Sequence, residues 1–160
     1  MRAVSLCSGI GAPETAMPHW NWLWCAEVEP AASAVLQHHR PTTRNLGDIT
    51  AKDFVARALD WGIPDVIVAG TPCQAFSYSG LRVGLGDPRG NLTLVALRIW
   101  KEICDVAKGQ GIAEPLFVWE NVPGALSAPG NPFGHVLAAL AGCDAVLPMP
   151  MGLTLSLIHI

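Results

Sequence analysis

Residues 3–12, AVSLCSGIGA, decide the fold, because an apolar strand here runs directly into a glycine turn and then a helix. Gly9 and Gly11 let the backbone approach a ligand at the helix N-terminus, although a tight turn without a ligand explains them too. The third glycine position of the dinucleotide pattern G-x-G-x-x-G is Glu14. Because a carboxylate there would face a pyrophosphate unfavourably, the stretch favours a cofactor without phosphates.

Outward from this turn, apolar runs alternate with helix-like segments separated by Gly, Pro or Asp. The predicted strands are 3–7, 22–27, 65–69 and 116–119, with a weaker one at 43–46. The predicted helices are 13–17, 31–38, 51–60, 92–108 and 134–141. This order predicts an α/β fold whose mostly parallel sheet is covered by helices on both faces, with functional loops at the carboxyl ends of the strands.

Composition excludes several classes of protein. The 160 residues suit one domain, and 51% hydrophobic with 14% charged residues is incompatible with intrinsic disorder. We expect no signal peptide at this N-terminus, and the sequence has no apolar run of about 18–20 residues for a membrane span. Five cysteines without a C-x-x-C pair argue against a disulfide framework or structural zinc. We therefore expect a cytoplasmic protein with reduced thiols and no metal.

Charge is distributed unevenly around a net value of −3. All ten Lys and Arg residues lie at or before Lys108, and residues 109–160 have none. A soluble protein normally spreads both signs over its surface. We therefore expect the domain to be unfinished at residue 160.

Two acids close the second predicted strand. Glu27 and Glu29 follow Gly9 by 18 and 20 residues, near the distance at which such folds place an acid on ribose hydroxyls. Either residue suits this task. A solvated acidic corner before Pro30 is the alternative.

The third unit ends in Asp48-Ile49, an acid and an apolar residue that suit the exocyclic amine and the ring of an adenine. Alternatively, Asp48 or Thr50 caps the helix that is predicted to begin near Ala51. Capping is the simpler expectation from these residues alone.

The stretch 65–77, DVIVAGTPCQAFS, brings Cys73 to the carboxyl end of a buried strand. Cys73 stands among Gly, Pro, Gln and Ser, where a nucleophile is reachable, and the 21-residue stretch 70–90 exceeds the usual length of a structural loop. A structural cysteine is instead an inert small hydrophobe, which we expect of Cys7, Cys25 and Cys104.

Glu120 ends the strand in 117–123, FVWENVP, where burial would favour the protonated acid, so that it donates a proton near neutral pH. An ordinary acid at a strand end is the alternative. Arg82, Arg89 and Arg98 make 81–98 the one locally basic stretch, suited to phosphate.

Taken in order, these motifs resemble those of the cytosine-C5 DNA methyltransferases, which use S-adenosylmethionine. Residues 5–11, SLCSGIG, are similar to the cofactor loop, Glu27 to the ribose-binding acid and Asp48-Ile49 to the adenine contacts. Pro72-Cys73-Gln74 is similar to the nucleophile motif, 87–92 to the segment after it, and Glu120-Asn121-Val122 to the Glu-Asn-Val motif. The resemblance covers about residues 3–140 and implies a Rossmann-like methyltransferase fold.

The resemblance also implies three groups of site residues. The cofactor residues are Cys7, Gly9, Ile10, Gly11, Glu27, Asp48, Ile49, Pro72 and Leu92. The catalytic residues are Cys73, Glu120 and Arg89. The substrate-contacting residues are Gln74, Ser77, Asn121 and Val122.

The chemistry agrees with these roles, because cytosine C5 is too weak a nucleophile to take a methyl group from a sulfonium. Attack of the Cys73 thiolate on C6, with a proton from Glu120 to N3, pushes electron density to C5. A base inside a duplex must be flipped out to reach such a site. We expect the loop 74–90 to close over it, with Arg89 holding the site or a phosphate.

The family pattern continues with further strands, a Gln-Arg-x-Arg motif and a target-recognition region, none of which is found here. We therefore expect 1–144 to be an incomplete catalytic domain and 145–160 an unassigned, non-native tail. The expected partner is duplex DNA, bound by a monomer at the nucleoid of a bacterium or phage-infected cell, as in restriction-modification. The alternatives are a tRNA cytosine-C5 methyltransferase and a non-catalytic cofactor-binding module or inactive fragment.

Overall fold

The structure, a computed structural model, describes residues 1–72, 91–127, 131–143 and 145–148. In these ranges five strands form one parallel sheet of order β3-β2-β1-β4-β5. They are β1 Arg2–Leu6, β2 Asn21–Ala26, β3 Arg44–Asn45, β4 Val66–Ala69 and β5 Leu116–Trp119. The helices are α1 Ala12–Ala16, α2 Pro30–His39, α3 Phe54–Leu59, α4 Asn91–Gly109, α5 Gly124–Ser127 and α6 Pro132–Ala141. The predicted α/β fold with a parallel sheet is confirmed.

Helices cover both faces of the sheet. Trp24, Val4 and Phe117 lie in one row of the strand register, so their side chains share a face. Phe54 of α3 packs edge-on against Trp24 at 5.6 Å, and Trp100 of α4 lies 5.8 Å from Phe117. These aromatic contacts place α3 and α4 on this face.

The opposite face is covered by α1 and α2. Ser5 follows Val4 in β1, so its side chain points to the other face, where it bonds the Glu14 carboxyl of α1. Leu36 of α2 is buried beside Gly11, at the start of α1. The inner strands β1, β2 and β4 are therefore largely buried on both sides, which explains why their sequences are mostly apolar.

The chain divides into two compact units. The sheet belongs to the first unit, Met1–Thr71 with Arg98–Glu120. The second unit comprises Pro72–Leu97 and Asn121–Ile160, and in its described part α5 packs on α6.

The predicted start of the third helix is wrong. Helix α3 begins at Phe54 rather than near residue 51, and its N-cap is Asp53, which makes no side-chain capping bond. Asp48 instead accepts the Thr50 N–H and hydroxyl, both at 2.8 Å. A short carboxylate that bonds backbone two residues ahead closes a local turn, so the capping interpretation of Asp48 and Thr50 is overturned.

At the amino edge of the sheet, Asp65 is held by Arg2. The Asp65 carboxylate accepts the Arg2 backbone N–H at 2.7 Å and two guanidinium bonds at 3.2 and 2.8 Å. These hydrogen bonds with Arg2 lower the pKa of Asp65 below its ordinary value. The interaction joins the starts of β1 and β4.

We expect Asp65→Asn to lower the free energy of unfolding at pH 7 by about 0.5–1 kcal/mol, since both side chains are partly solvated. The pKa of Asp65 is lower in the folded than in the unfolded protein. Its contribution to the free energy of unfolding is therefore complete above the unfolded pKa of about 3.9 and is lost as the pH falls through the lower folded pKa. Urea unfolding at pH 7 and in acid measures both effects. A variant as stable as wild type at pH 7 would contradict this assignment.

Candidate functional site

The turn between β1 and α1 uses left-handed backbone at three alternate residues: Cys7 (φ 53°), Gly9 (φ 55°) and Gly11 (φ 88°). A Cβ at Gly11 would lie 2.8 Å from the Leu36 Cδ2 atom, so a side chain does not fit there without a shift. Left-handed backbone at the non-glycine Cys7 costs about 1–2 kcal/mol. The tight turn is therefore maintained by its surroundings, at the carboxyl edge of the sheet.

Glu27 binds this turn to the end of β2. Its Oε2 atom accepts the Gly9 N–H at 2.7 Å, and its Oε1 atom accepts the N–H groups of Val28 and Glu29, both at 2.8 Å. A carboxylate oxygen accepts about two hydrogen bonds, so Oε2 retains capacity for a further donor. Glu27 is thus oriented at the turn and can accept one further hydrogen bond at Oε2.

Asn45 of β3 holds the backbone of Glu27, a role that the sequence analysis missed. Its Oδ1 atom accepts the N–H groups of Glu27 at 3.0 Å and Gly47 at 2.9 Å. Its Nδ2 atom donates to the Glu27 carbonyl at 3.0 Å. An Asn in a two-residue edge strand carries no recognisable signal, because Glu27 lies 18 residues earlier in the chain.

The carboxyl edge is acidic around Cys7. Burial, followed by the negative charges of Glu27 and Asp48, raises the pKa of Cys7 to about 11. The thiol is therefore protonated and unreactive at neutral pH. Cys7 is only half-buried, so the expectation that it is a core residue is wrong, whereas Cys25 and Cys104 are buried as predicted.

Two predictions about acids at this edge are wrong. Glu14 does not face a ligand, because its side chain is completely buried beneath the turn. Glu120 is exposed rather than buried, since it follows β5, the outermost strand of the described sheet. Phosphates are disfavoured here by Glu27 and Asp48 instead.

The ends of β4 and β5 meet the turn at Gly70. A Cβ at Gly70 would lie 3.4 Å from the Cys7 carbonyl oxygen and 3.8 Å from Glu120 Oε2. The Trp119 indole N–H donates to the Thr71 hydroxyl at 2.8 Å. These contacts fix the residues that precede Pro72 in the chain and bring Glu120 to the same edge as the turn.

The structure brings together several of the predicted residues at this edge: Cys7, Gly9, Gly11, Glu27, Asp48 and Glu120. Ile10 is 65% exposed beside them, whereas Ile49 is buried. Four more predicted residues belong to the second unit, namely Pro72, Leu92, Asn121 and Val122. The rest, Cys73, Gln74, Ser77 and Arg89, lie outside the described residues.

Within the described ranges, no three His, Cys, Asp or Glu residues are grouped so that they could hold a metal ion. In the same part of the chain, no helix has the length and apolarity needed to span a bilayer.

Known proteins are similar to the part of the chain that forms this edge. A family model described as C-5 cytosine-specific DNA methylase matches residues 1–144. The Type II methyltransferase M.NlaIV of Neisseria lactamica is 37% identical over 108 residues, which are 66% of this chain and 22% of that protein. The DNA N-6-adenine-methyltransferase of Escherichia phage P1 is 49% identical over 148 residues, 88% of this chain and 19% of that protein. The chain thus spans about a fifth of the length of these relatives.

A solved structure shows the same fold. A mutant of Spodoptera frugiperda DNMT2 matches with a TM-score of 0.63 and 21% identity, covering 89% of this chain and 41% of that chain.

Proposed function

The chain belongs to the C-5 cytosine-specific DNA methylase family, and on that basis we propose that it binds S-adenosylmethionine and supports transfer of its methyl group to C5 of cytosine in duplex DNA. The observation that carries this proposal is Glu27, which ties the Gly9 turn to β2 and keeps acceptor capacity at that turn. We further propose residues 1–144 as the catalytic domain, 145–160 as a tail, and a monomer that acts in the cytoplasm. The last point is supported by relatives from bacteria and phages.

The acidic edge fits the proposed cofactor. S-adenosylmethionine has a ribose diol, an adenine, a positive sulfonium and no phosphate. The Glu27 carboxylate offers an acceptor for a ribose hydroxyl. Glu27 and Asp48 also make the potential negative around Cys7, which favours a cation and repels phosphates.

Other residues of the edge suit the rest of the cofactor. Ile10 and Val28 are each 65% exposed and flank the Glu27 bridge, where apolar surface can pack on the adenosine. Asp48 is exposed and offers its carboxylate to an exocyclic amine. When bound, the cofactor supplies an electrophilic methyl group.

The proposed chemistry on cytosine uses two residues of the chain. The Cys73 thiolate forms a bond to C6 while Glu120 gives a proton to N3, which makes C5 nucleophilic. After C5 has gained the methyl group, loss of the C5 proton to solvent, return of the N3 proton to Glu120 and departure of the Cys73 thiolate from C6 restore the aromatic ring. The position of Gly70 supports this pairing of Cys73 with Glu120. Gly70 directly follows β4 and precedes Cys73 by three residues in the chain, and the Glu120 carboxylate lies beside Gly70.

We favour cytosine over adenine although the phage P1 relative is named as an N-6-adenine methyltransferase. Covalent activation of C6 requires a nucleophile such as Cys73, whereas an exocyclic amine is methylated without one. The chain matches only 19% of the phage protein, so four-fifths of that protein is available for other chemistry. The description of the family model, C-5 cytosine-specific DNA methylase, likewise supports DNA rather than tRNA as the substrate class.

We expect Glu27→Ala to weaken S-adenosylmethionine binding at least about tenfold, because it removes a charged acceptor from three backbone N–H groups and from the ribose. Isothermal titration of the chain with S-adenosylmethionine measures the change. Glu29→Ala is the matched control, since Glu29 is an exposed acid two residues away that makes no side-chain capping bond. Equal losses in the two variants would contradict the role of Glu27.

A further inference from the structure

We propose that Glu14 is a positioning residue for the cofactor turn and acts through a buried chain of hydrogen bonds that runs from Ala26 through Ser8 and Ser5 to its carboxyl group. The inference rests on the proposed function, because it concerns how the same turn is held ready for the cofactor. Glu14 touches neither cofactor nor substrate in this account.

The chain of bonds lies in the core of the first unit. The Ala26 N–H donates to Ser8 Oγ at 3.1 Å, Ser8 Oγ lies 2.7 Å from Ser5 Oγ, and the Ser5 hydroxyl donates to Glu14 Oε1. The side chains are almost inaccessible: Ser5 is 1%, Ser8 6% and Glu14 0% exposed. Water therefore has little access to replace any member.

The carboxyl group at the end of the chain sets its direction. Each serine hydroxyl has one proton to donate. Ser5 gives its proton to Glu14, so the 2.7 Å contact between the two hydroxyls requires the proton of Ser8. The other acceptors near Ser8 Oγ are farther away, the Ser5 carbonyl at 3.2 Å and the Ala26 carbonyl at 3.3 Å. Ser8 then presents a lone pair to the Ala26 N–H. Bonds aligned in one direction polarise and strengthen one another.

This inner chain joins the same two segments as the Glu27 bridge. Ser8 directly precedes Gly9, and Ala26 directly precedes Glu27, the two residues that are bonded at the surface. The Ser8 N–H also donates directly to the Ala26 carbonyl at 3.1 Å. The turn is therefore held against β2 by this backbone bond, from the interior by the chain that ends at Glu14, and from the outer edge by Glu27. Loosening the inner connection would displace both Gly9 and the Glu27 carboxylate.

Stability of the fold does not by itself explain why these buried side chains are polar. The Glu14 Oε2 atom is buried and finds no hydrogen-bond partner among the residues that the structure describes. Apolar side chains of similar volume would fill the same core without that desolvation cost. The arrangement instead resembles a polar network that specifies one geometry of the turn.

The test compares Glu14→Met, which removes the acceptor, with Glu14→Gln, which keeps an oxygen for the Ser5 hydroxyl. We expect Glu14→Met to weaken S-adenosylmethionine binding at least about tenfold, and Glu14→Gln to stay within about threefold of wild type. Titration is done at a temperature where circular dichroism shows all variants folded. Asp65→Asn is the control for lost stability, because it acts at the opposite edge of the sheet and should leave affinity unchanged.

A second variant, Ser5→Ala, interrupts the chain without touching the larger side chain. Ser5→Ala should also weaken S-adenosylmethionine binding. The double variant with Glu14→Met should bind the cofactor no worse than the single variant with the lower affinity, because both substitutions interrupt the same chain of hydrogen bonds. Full affinity in folded Glu14→Met, or additive losses in the double variant, would overturn the role of Glu14. Failure of the wild-type chain to bind S-adenosylmethionine would instead refute the proposed function.

Discussion

Replacing Cys73 with serine is expected to lower methyl transfer to cytosine in duplex DNA by at least about 10³-fold. A serine hydroxyl stays protonated at neutral pH and adds to C6 far more slowly than a thiolate does. The assay follows tritium from labelled S-adenosylmethionine into DNA. Binding of the cofactor should be nearly unchanged, since the Glu27 bridge lies on another strand.

A covalent readout makes this prediction specific. Duplex DNA that contains 5-fluorocytosine should form a stable adduct with wild-type protein, because fluorine at C5 cannot leave as a proton does, and Cys73→Ser should form none. Cys143→Ser is the matched control, since Cys143 is exposed and distant in sequence from the nucleophile motif. An adduct that persists in Cys73→Ser would disprove the assignment of the nucleophile.

Glu120→Gln is expected to slow methyl transfer by about 10²–10⁴-fold, the usual contribution of a general acid. Glutamine keeps the size of the side chain and its place beside Gly70, but it has no acidic proton to give to cytosine N3. Single-turnover rates with saturating cofactor and DNA measure this step without interference from binding.

Glu114→Gln serves as the control for Glu120→Gln. Glu114 is an exposed acid two residues before β5, at the end of the strand opposite to Glu120. Its replacement should leave the rate unchanged. A Glu120→Gln variant with the wild-type single-turnover rate would remove Glu120 from the mechanism.

The strands and the Glu27 bridge were predictable because their signals are local or have a fixed spacing. Four of the predicted strands are apolar runs bounded by turn residues, and all four are present in the sheet together with the weaker strand predicted at 43–46. Glu27 follows Gly9 at the distance set by one β-α-β unit, and the two are bonded at 2.7 Å.

Other features depend on partners that no local pattern reveals. Glu14 occupies the glycine position of a phosphate-binding motif, yet it turns inward because the Ser5 hydroxyl, on a different element, donates a hydrogen bond to its carboxylate in the core. Asp48 closes its own turn instead of capping α3, since Thr50 is nearer than the helix. The exposure of Glu120 follows from the place of β5 at the sheet edge, which depends on strand order.

In the proposed function, this chain supports methylation of cytosine at C5. Mass spectrometry of nucleosides, from DNA of a methylation-deficient bacterium that expresses the protein, tests it most directly. We expect 5-methylcytosine in DNA from cells that express the wild-type protein, and none when Cys73 is replaced by serine. N6-methyladenine without 5-methylcytosine, or no methylated nucleoside from a protein that binds S-adenosylmethionine, would contradict the claim.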